Sequence, residues 1–472
     1  MLDAIVVGSG PNGLAAAVEL ARRGHSVTVI EGNATIGGGA RTAELIEPGH
    51  WHDVCSAVHP LGAASPHFRQ LPLGRFGLEW LLPDIQVSHP LGDGNAVGLA
   101  QSLAATVEML GADGDAYSKL MRPTVAGWDQ VLNSALSPLQ SAWRHPVTMA
   151  RFGWVAIRSA ASIAARFDGA AAQALIAGLG AHSIARLDTA ATGGVALLLA
   201  AAAHATGWPI ARGGSQAIVT ALASYLEELG GSIETGRWVD SIEDLPPSRA
   251  VYLDTAPGAA VAIAGPRIRS ATARRLTRWR HGPGVHKVDW ILDGPIPWDD
   301  PVSGRAGTVH VGGSYGEIAA SEARAVAGEA PQKPFVIVAQ PSLVDPTRAP
   351  ADRHIAWGYC HVPSSYGGDA TSQIESQVER FAPGFGARII GRHVQNAVSL
   401  AAYNPNYVGG DIGGGAMTLP QLLMRPSASR NPYEIGEGIY LCSASTPPGA
   451  GVHGMCGFNA VRYSEGSPGS VA

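Results

Sequence analysis

At 472 residues, 46% hydrophobic and 15% charged, the chain has the length of two or three structural units and enough apolar content for a large core. A net charge of −5 argues against nucleic acid as a partner. Cys55, Cys360, Cys442 and Cys456 form no C-x-x-C pair, which points to a reducing compartment and away from metal or dithiol chemistry.

Taken in order, Ala4–Val7 is a short, β-branched apolar run that predicts a buried parallel strand. It begins too early to leave room for a signal peptide, so a cytoplasmic location is expected. Gly8, Gly10 and Gly13 then give G-x-G-x-x-G, with Pro11 and Asn12 inside it. Gly8 lets the chain reverse, Gly10 lets backbone approach a pyrophosphate, and Gly13 lets the helix pack on the strand. A helix is predicted over 12–23, its N-terminus free to meet phosphate. Val27–Ile30 reads as a second strand ending in Glu31, a carboxylate placed for ribose hydroxyls. A tight turn that binds nothing would show the same glycines, but not Glu31 at this spacing.

A second glycine turn, Gly37–Gly38–Gly39–Ala40–Arg41–Thr42, has the pattern G-G-x-x-R-[ST]. It resembles the doublet that follows the dinucleotide fold in FAD enzymes of the amine oxidase and phytoene desaturase superfamily. There Arg41 lends a fixed charge to the pyrophosphate; the alternative is a solvated surface arginine. Ala43–Ile46 reads as a strand. His59 is a candidate for the flavin face, or a histidine that only ties a loop.

Helical patterns dominate 66–205: 99–110, 113–134, 147–167, 170–181 and 189–205. Residues 130–167 contain no acidic residue, and Arg144, Arg151, Arg158 and Arg166 alternate with Trp143, Phe152, Trp154 and Ile157. This suits either a solvated helix face or peripheral contact with an anionic membrane through 143–167. No run is long enough to span a bilayer. A helix over 216–229 and strands at 233–235, 238–242 and 250–254 return to the nucleotide domain, with Val239 beside the adenine. A β-rich stretch follows, with one helix over 372–381 and a loop-rich 300–334. The polar, aromatic loop 403–411 leads to a strand at 439–442. A turn, Ser443–Gly454, then enters a last helix whose N-terminus would face the flavin pyrimidine edge.

Together, G-S-G-P-N-G-L…E…G-G-x-x-R-T and I-Y-L-C-S-A-S-T-P-P-G-A-G-V-H-G resemble the phytoene desaturase-like FAD-dependent oxidoreductases, in the branch of the pyridine nucleotide–disulfide oxidoreductase domain-containing protein 2 type. The resemblance implies an α/β fold. A discontinuous FAD-binding Rossmann-like domain of the glutathione reductase and amine oxidase type would occupy 1–65, 206–284 and 391–472. Its inserts would be a helical lid at 66–205 and a sheet-rich substrate domain at 285–390. It implies FAD at Gly8, Gly10, Pro11, Asn12, Gly13, Glu31, Gly38, Gly39, Arg41, Thr42, Val239, Ser445, Gly449, Ala450, Gly451 and Val452. It implies dehydrogenation or isomerisation of an apolar, isoprenoid-like small molecule. His453 and His59 are the candidate bases, with Tyr403 and Arg425 as orienting groups. Departures are Ser443 where the desaturases have glycine, Asp254–Thr255–Ala256 in place of N-A-D, and the missing acidic turn residue of amine oxidases. An amine oxidase-like enzyme and a non-catalytic prenyl or lipid binder are the alternatives.

Overall fold

The structure is a computed structural model and describes residues 1–427 and 429–466. Leu2–Val7 is an inner strand of a six-stranded sheet. Alternation decides which side each residue feeds. Ala4 and Val6 pack with Leu14, Val18, Leu222 and Val461, while Ile5 and Val7 pack with Leu253, Ile263 and Leu441. Val27–Ile30 and Ser248–Leu253 flank this strand in parallel, so Val7, Ile30 and Leu253 end level. Ser232–Glu234 and Ile439–Leu441 extend the parallel sheet outward, and Glu434–Gly436 closes one edge antiparallel. Gly8, Glu31 and Asp254 each follow the end of a strand, where sheets of this kind bind ligands.

The second sheet has seven strands in the order Ile389–Gln395, Gly284–Leu292, His354–Val362, Val336–Ala339, Ala306–Val311, Ile85–Gly92 and Asn95–Leu99. Thr308, Ala339, Trp357 and Asp289 form one cross-strand row, and His310, Ile337, Tyr359 and Lys287 the next. These rows share one face, which is polar and aromatic. The other face carries Val288, Trp290, Val309, Val336, Val338 and Ala356, packed with Ile374, Phe381 and Phe385.

The α/β architecture with a Rossmann-like nucleotide unit matches the sequence reading. Several elements differ. Residues 85–99, expected in the helical lid, form a hairpin of the second sheet. Its turn is Asp93–Gly94, both at positive φ, a hairpin signal that was legible. The boundary drawn at 390 cuts the strand Ile389–Gln395, which pairs with Gly284–Leu292. Within the loop-rich 300–334 lies a helix, Tyr315–Ala327, started by a Ser314–Glu317 capping box. The helix expected over 113–134 breaks at Gly127, and that over 147–167 breaks before a new cap at Ser159. Ala43–Ile46 is strand only at Thr42–Ala43. Residues 238–241 are not a strand: the chain is held instead by the Arg237 amide on the Glu31 carbonyl at 2.9 Å.

Candidate active site

The first turn is built as its glycines require. Gly8 has φ +100, and its amide donates to the Ile30 carbonyl at 2.8 Å, tying the two strands together. A side chain at Gly13 would collide with the Gly8 carbonyl, so the helix Pro11–Arg22 rests directly on the turn. Gly38, at φ +54, comes so close to Gly10 that an added Cβ would sit 3.1 Å from the Gly10 Cα. The two glycine turns therefore pack backbone to backbone.

Glu31 is buried at the rim of this pair. Burial pushes its carboxyl up, but Ser9 and Asn33 outweigh that and hold it below the usual range. Oε2 accepts from Ser9 N at 3.0 Å and Ser9 Oγ at 2.6 Å; Oε1 accepts from Asn33 N at 2.8 Å and Asn33 Nδ2 at 2.9 Å. Arg41 is buried as well, not a solvated surface arginine. It donates to the Thr35 carbonyl at 2.7 Å and the Ile36 carbonyl at 3.2 Å, and lies 3.6 Å from Glu31.

A cavity of about 840 Å³ runs from these turns into the molecule. Gly8, Gly10, Pro11, Asn12, Glu31, Gly38, Gly39, Arg41, Val239, Ser445, Gly449, Ala450, Gly451 and Val452 all line it, as do His59, His453 and Arg425. Gly13, Thr42 and Tyr403 do not. Gly13 lies beneath the turn. Thr42 Oγ1 is committed to Asp53 at 2.8 Å and to the Gln216 amide at 3.1 Å. Tyr403 donates to the Gly38 carbonyl at 3.4 Å and carries Arg41 over its ring, so it supports the second turn instead of meeting a ligand.

The histidines are constrained. The Ser215 hydroxyl donates to the Ser56 carbonyl, so His59 Nε2 donates to Ser215 Oγ at 2.8 Å, leaving Nδ1 facing Ser56 Oγ at 3.4 Å. Both ring nitrogens are engaged, and burial lowers the pKa of His59 to about 4. In His453, Nδ1 accepts from the Met455 amide at 3.1 Å. The neutral ring then carries its proton on Nε2, a buried atom at the cavity wall with no well-formed hydrogen bond. Burial, partly offset by the Ala450 and Gly449 carbonyls, lowers its pKa to about 4. His453 is thus set as a donor, not as a base. It also stands between the cavity and the last helix, Met455–Ser464, whose first amide it occupies; that helix end does not face the cavity directly. Arg425 donates to the Ala444 carbonyl at 2.7 Å and the Gly413 carbonyl at 3.0 Å, fixing two cavity-lining loops.

Sequence reasoning passed over Asp254 as a site residue. It ends the strand Ser248–Leu253, lines the cavity, and its Oδ2 accepts from the Gly13 amide at 2.8 Å. Burial raises its pKa to about 7, with the Gly13 bond opposing and Glu31 adding to the rise. Cys55, Tyr407 and the Trp357–Tyr359 wall were also missed. The alternation Trp357–Gly358–Tyr359–Cys360–His361 was the available signal for the last.

Residues 6–71 match the model of an NAD(P)-binding Rossmann-like domain. Over 98% of its length the chain is 26% identical to the mouse (Mus musculus) pyridine nucleotide-disulfide oxidoreductase domain-containing protein 2, covering 92% of that protein. It is 25% identical over 96% of its length to the neurosporene-forming phytoene desaturase of Rhodobacter capsulatus, again covering 92%. The solved structure of putrescine oxidase bound to putrescine superposes with a TM-score of 0.60 over 98% of both chains, at 16% identity. Over nearly its whole length the chain is thus similar to relatives named as oxidoreductases and desaturases. The likeness to putrescine oxidase is one of fold. Among the described residues no helix is long and apolar enough to cross a membrane.

Proposed function

We propose that this protein is an FAD-dependent oxidoreductase that dehydrogenates or isomerises an apolar, isoprenoid-like substrate. The observation that carries the reading is one continuous cavity, which joins the paired glycine turns to an interior lined by Phe152, Val195, Leu198, Leu199 and Ile337. The donor set suits a dinucleotide. Two glycine turns offer bare backbone, Arg41 supplies a fixed charge, and buried Asn12 and His453 each present an unpartnered polar atom. When bound, FAD supplies a hydride acceptor. The chain's own part is to hold the dinucleotide at Gly10, Glu31, Gly38 and Arg41, to donate from His453 Nε2, and to exclude water with the apolar lining. An absorption spectrum of the purified protein, before and after denaturation, tests this. Flavin bands that shift on denaturation, and that isoprenoids bleach without oxygen, support it; a flat spectrum that added FAD cannot restore rejects it.

The same reading covers delivery of the substrate. The helix Pro146–Ala156 has no buried residue; Trp154 within it is 71% exposed, and Trp143, just before it, 83%. Phe152 and Ala156 of this helix line the cavity. The Arg158 guanidinium lies 5.4 Å over the Trp154 ring, and no carboxylate occurs from 130 to 167. We propose that 143–167 rests on an anionic lipid surface, its positive charge and tryptophans matching headgroup and interface.

A further inference from the structure

The polar face of the second sheet meets the cavity on the substrate side. Thr308 and Trp357 lie in one row there, two strands apart, with the small Ala339 between them. His182, Ser183 and Ile184 approach the same face from the C-terminal end of the helix Ala170–Ala181. His182 Nε2 lies 2.9 Å from His310 Nε2, in the next row of the sheet. Ile184 has φ +51, a conformation that a β-branched residue resists, so the surrounding fold forces this turn against the cavity.

Three polar atoms of this wall have no hydrogen-bond partner: Ser183 Oγ, Thr308 Oγ1 and Trp357 Nε1. Their residues are 5%, 2% and 5% exposed, and all three line the cavity. Buried polar groups are normally paired, and valine, alanine or phenylalanine would fill these places without that cost. All three can donate, and the indole can do nothing else.

The surrounding charges say what they donate to. Lys287 is held by Asp289 at 2.5 Å, and Glu322, bonded to His361 at 2.7 Å, is a buried carboxylate on the same side. Burial lowers the pKa of His182 to about 3 and keeps His310 neutral too. Among the described residues an anionic ligand would find no free cation at this wall, and an ammonium, having no lone pair, would leave the Trp357 indole N–H unpaired.

We propose that this wall is a subsite for a neutral oxygen function, a carbonyl or hydroxyl, on an otherwise apolar substrate, with Ser183, Thr308 and Trp357 as its donors. The proposal rests on the reading of the cavity as an oxidoreductase substrate site. It narrows the substrate from a plain hydrocarbon to an oxygenated one.

The test uses the full chain loaded with FAD and two probes: an isoprenoid ketone, and the hydrocarbon in which a methylene replaces its carbonyl. Binding is followed by tryptophan fluorescence, and flavin content by absorbance. The ketone is expected to bind ~10-fold tighter or more, the worth of a hydrogen bond or two. Ser183→Ala, Thr308→Val and Trp357→Phe together should bring the two probes to within about 2-fold, with flavin content unchanged. Equal affinities in the wild type, or a preference that survives all three substitutions, overturn the subsite. Failure to bind either probe with flavin in place overturns it as well, while the flavin site stands. A ketone preference in a protein that takes up no flavin supports the subsite and rejects the oxidoreductase reading.

Discussion

Asp254 Oδ2 accepts a hydrogen bond from the Gly13 amide at 2.8 Å, beneath the first glycine turn. A carboxylate here would repel phosphate, and burial answers that by raising the pKa to about 7. The folded value exceeds the ordinary 3.8, so this group's contribution to stability is full below the ordinary value and is lost as pH rises through about 7. Asp254→Asn keeps an acceptor for Gly13 but removes the proton. Between about pH 5 and about pH 8, wild-type Tm should fall relative to the variant, and wild-type flavin affinity should weaken where the variant's does not. Parallel curves in thermal melts and flavin titrations would rule this out.

His453 carries its ring proton on Nε2, because the Met455 amide occupies Nδ1. His453→Ala should therefore slow anaerobic flavin reduction by roughly 10-fold or more, the scale of one lost buried donor. Its pH profile should keep the wild-type shape, since a ring with a pKa of about 4 does not titrate near neutrality. Disappearance of a basic limb in the variant would restore His453 as a base.

Asp53 and Arg348 form a fully buried ion pair at 2.8 Å, joining the strand pair after the second glycine turn to the loop before His354–Val362. Asp53 Oδ1 also accepts from Thr42 Oγ1 and from the Ser215 amide, each at 2.8 Å. Arg348→Met strands the carboxylate and should cost ~3–5 kcal/mol in urea unfolding. Adding Asp53→Asn should recover part of that, because an amide oxygen still serves Thr42 and Ser215. Additive losses would show that the pair is not coupled.

Trp143→Ser with Trp154→Ser should leave Tm within about a degree, because neither side chain is buried. The same pair should release the protein from vesicles of phosphatidylserine and phosphatidylcholine in co-sedimentation, as should added salt. Wild-type protein that never sediments with such vesicles would end the membrane proposal.

The nucleotide end was legible because backbone constraints write themselves into sequence. Gly8, Gly13 and Gly38 stand where no side chain fits, and Glu31 follows its strand at fixed spacing. The substrate end was much less so. Thr308, Trp357 and Ser183 are ordinary residues whose meaning depends on strands far apart in sequence meeting in register. The roles of His59, His453 and Tyr403 were read from position alone, which carries no record of the hydrogen bonds each ring makes. The hairpin at 85–99 was hidden by pairing with Ala306–Val311, more than two hundred residues on, although Asp93–Gly94 announced its turn.

The two faces of the seven-stranded sheet separate two kinds of heritable change. Positions 308, 337, 339, 357 and 359 border the cavity, while 309, 336, 338, 356 and 358 lie between layers of core. Exchanges in the first set alter the wall of the cavity, and exchanges in the second alter only the packing between layers. A lineage built on this sheet can therefore change what it holds by altering every second residue, and leave the rest of each strand as it was.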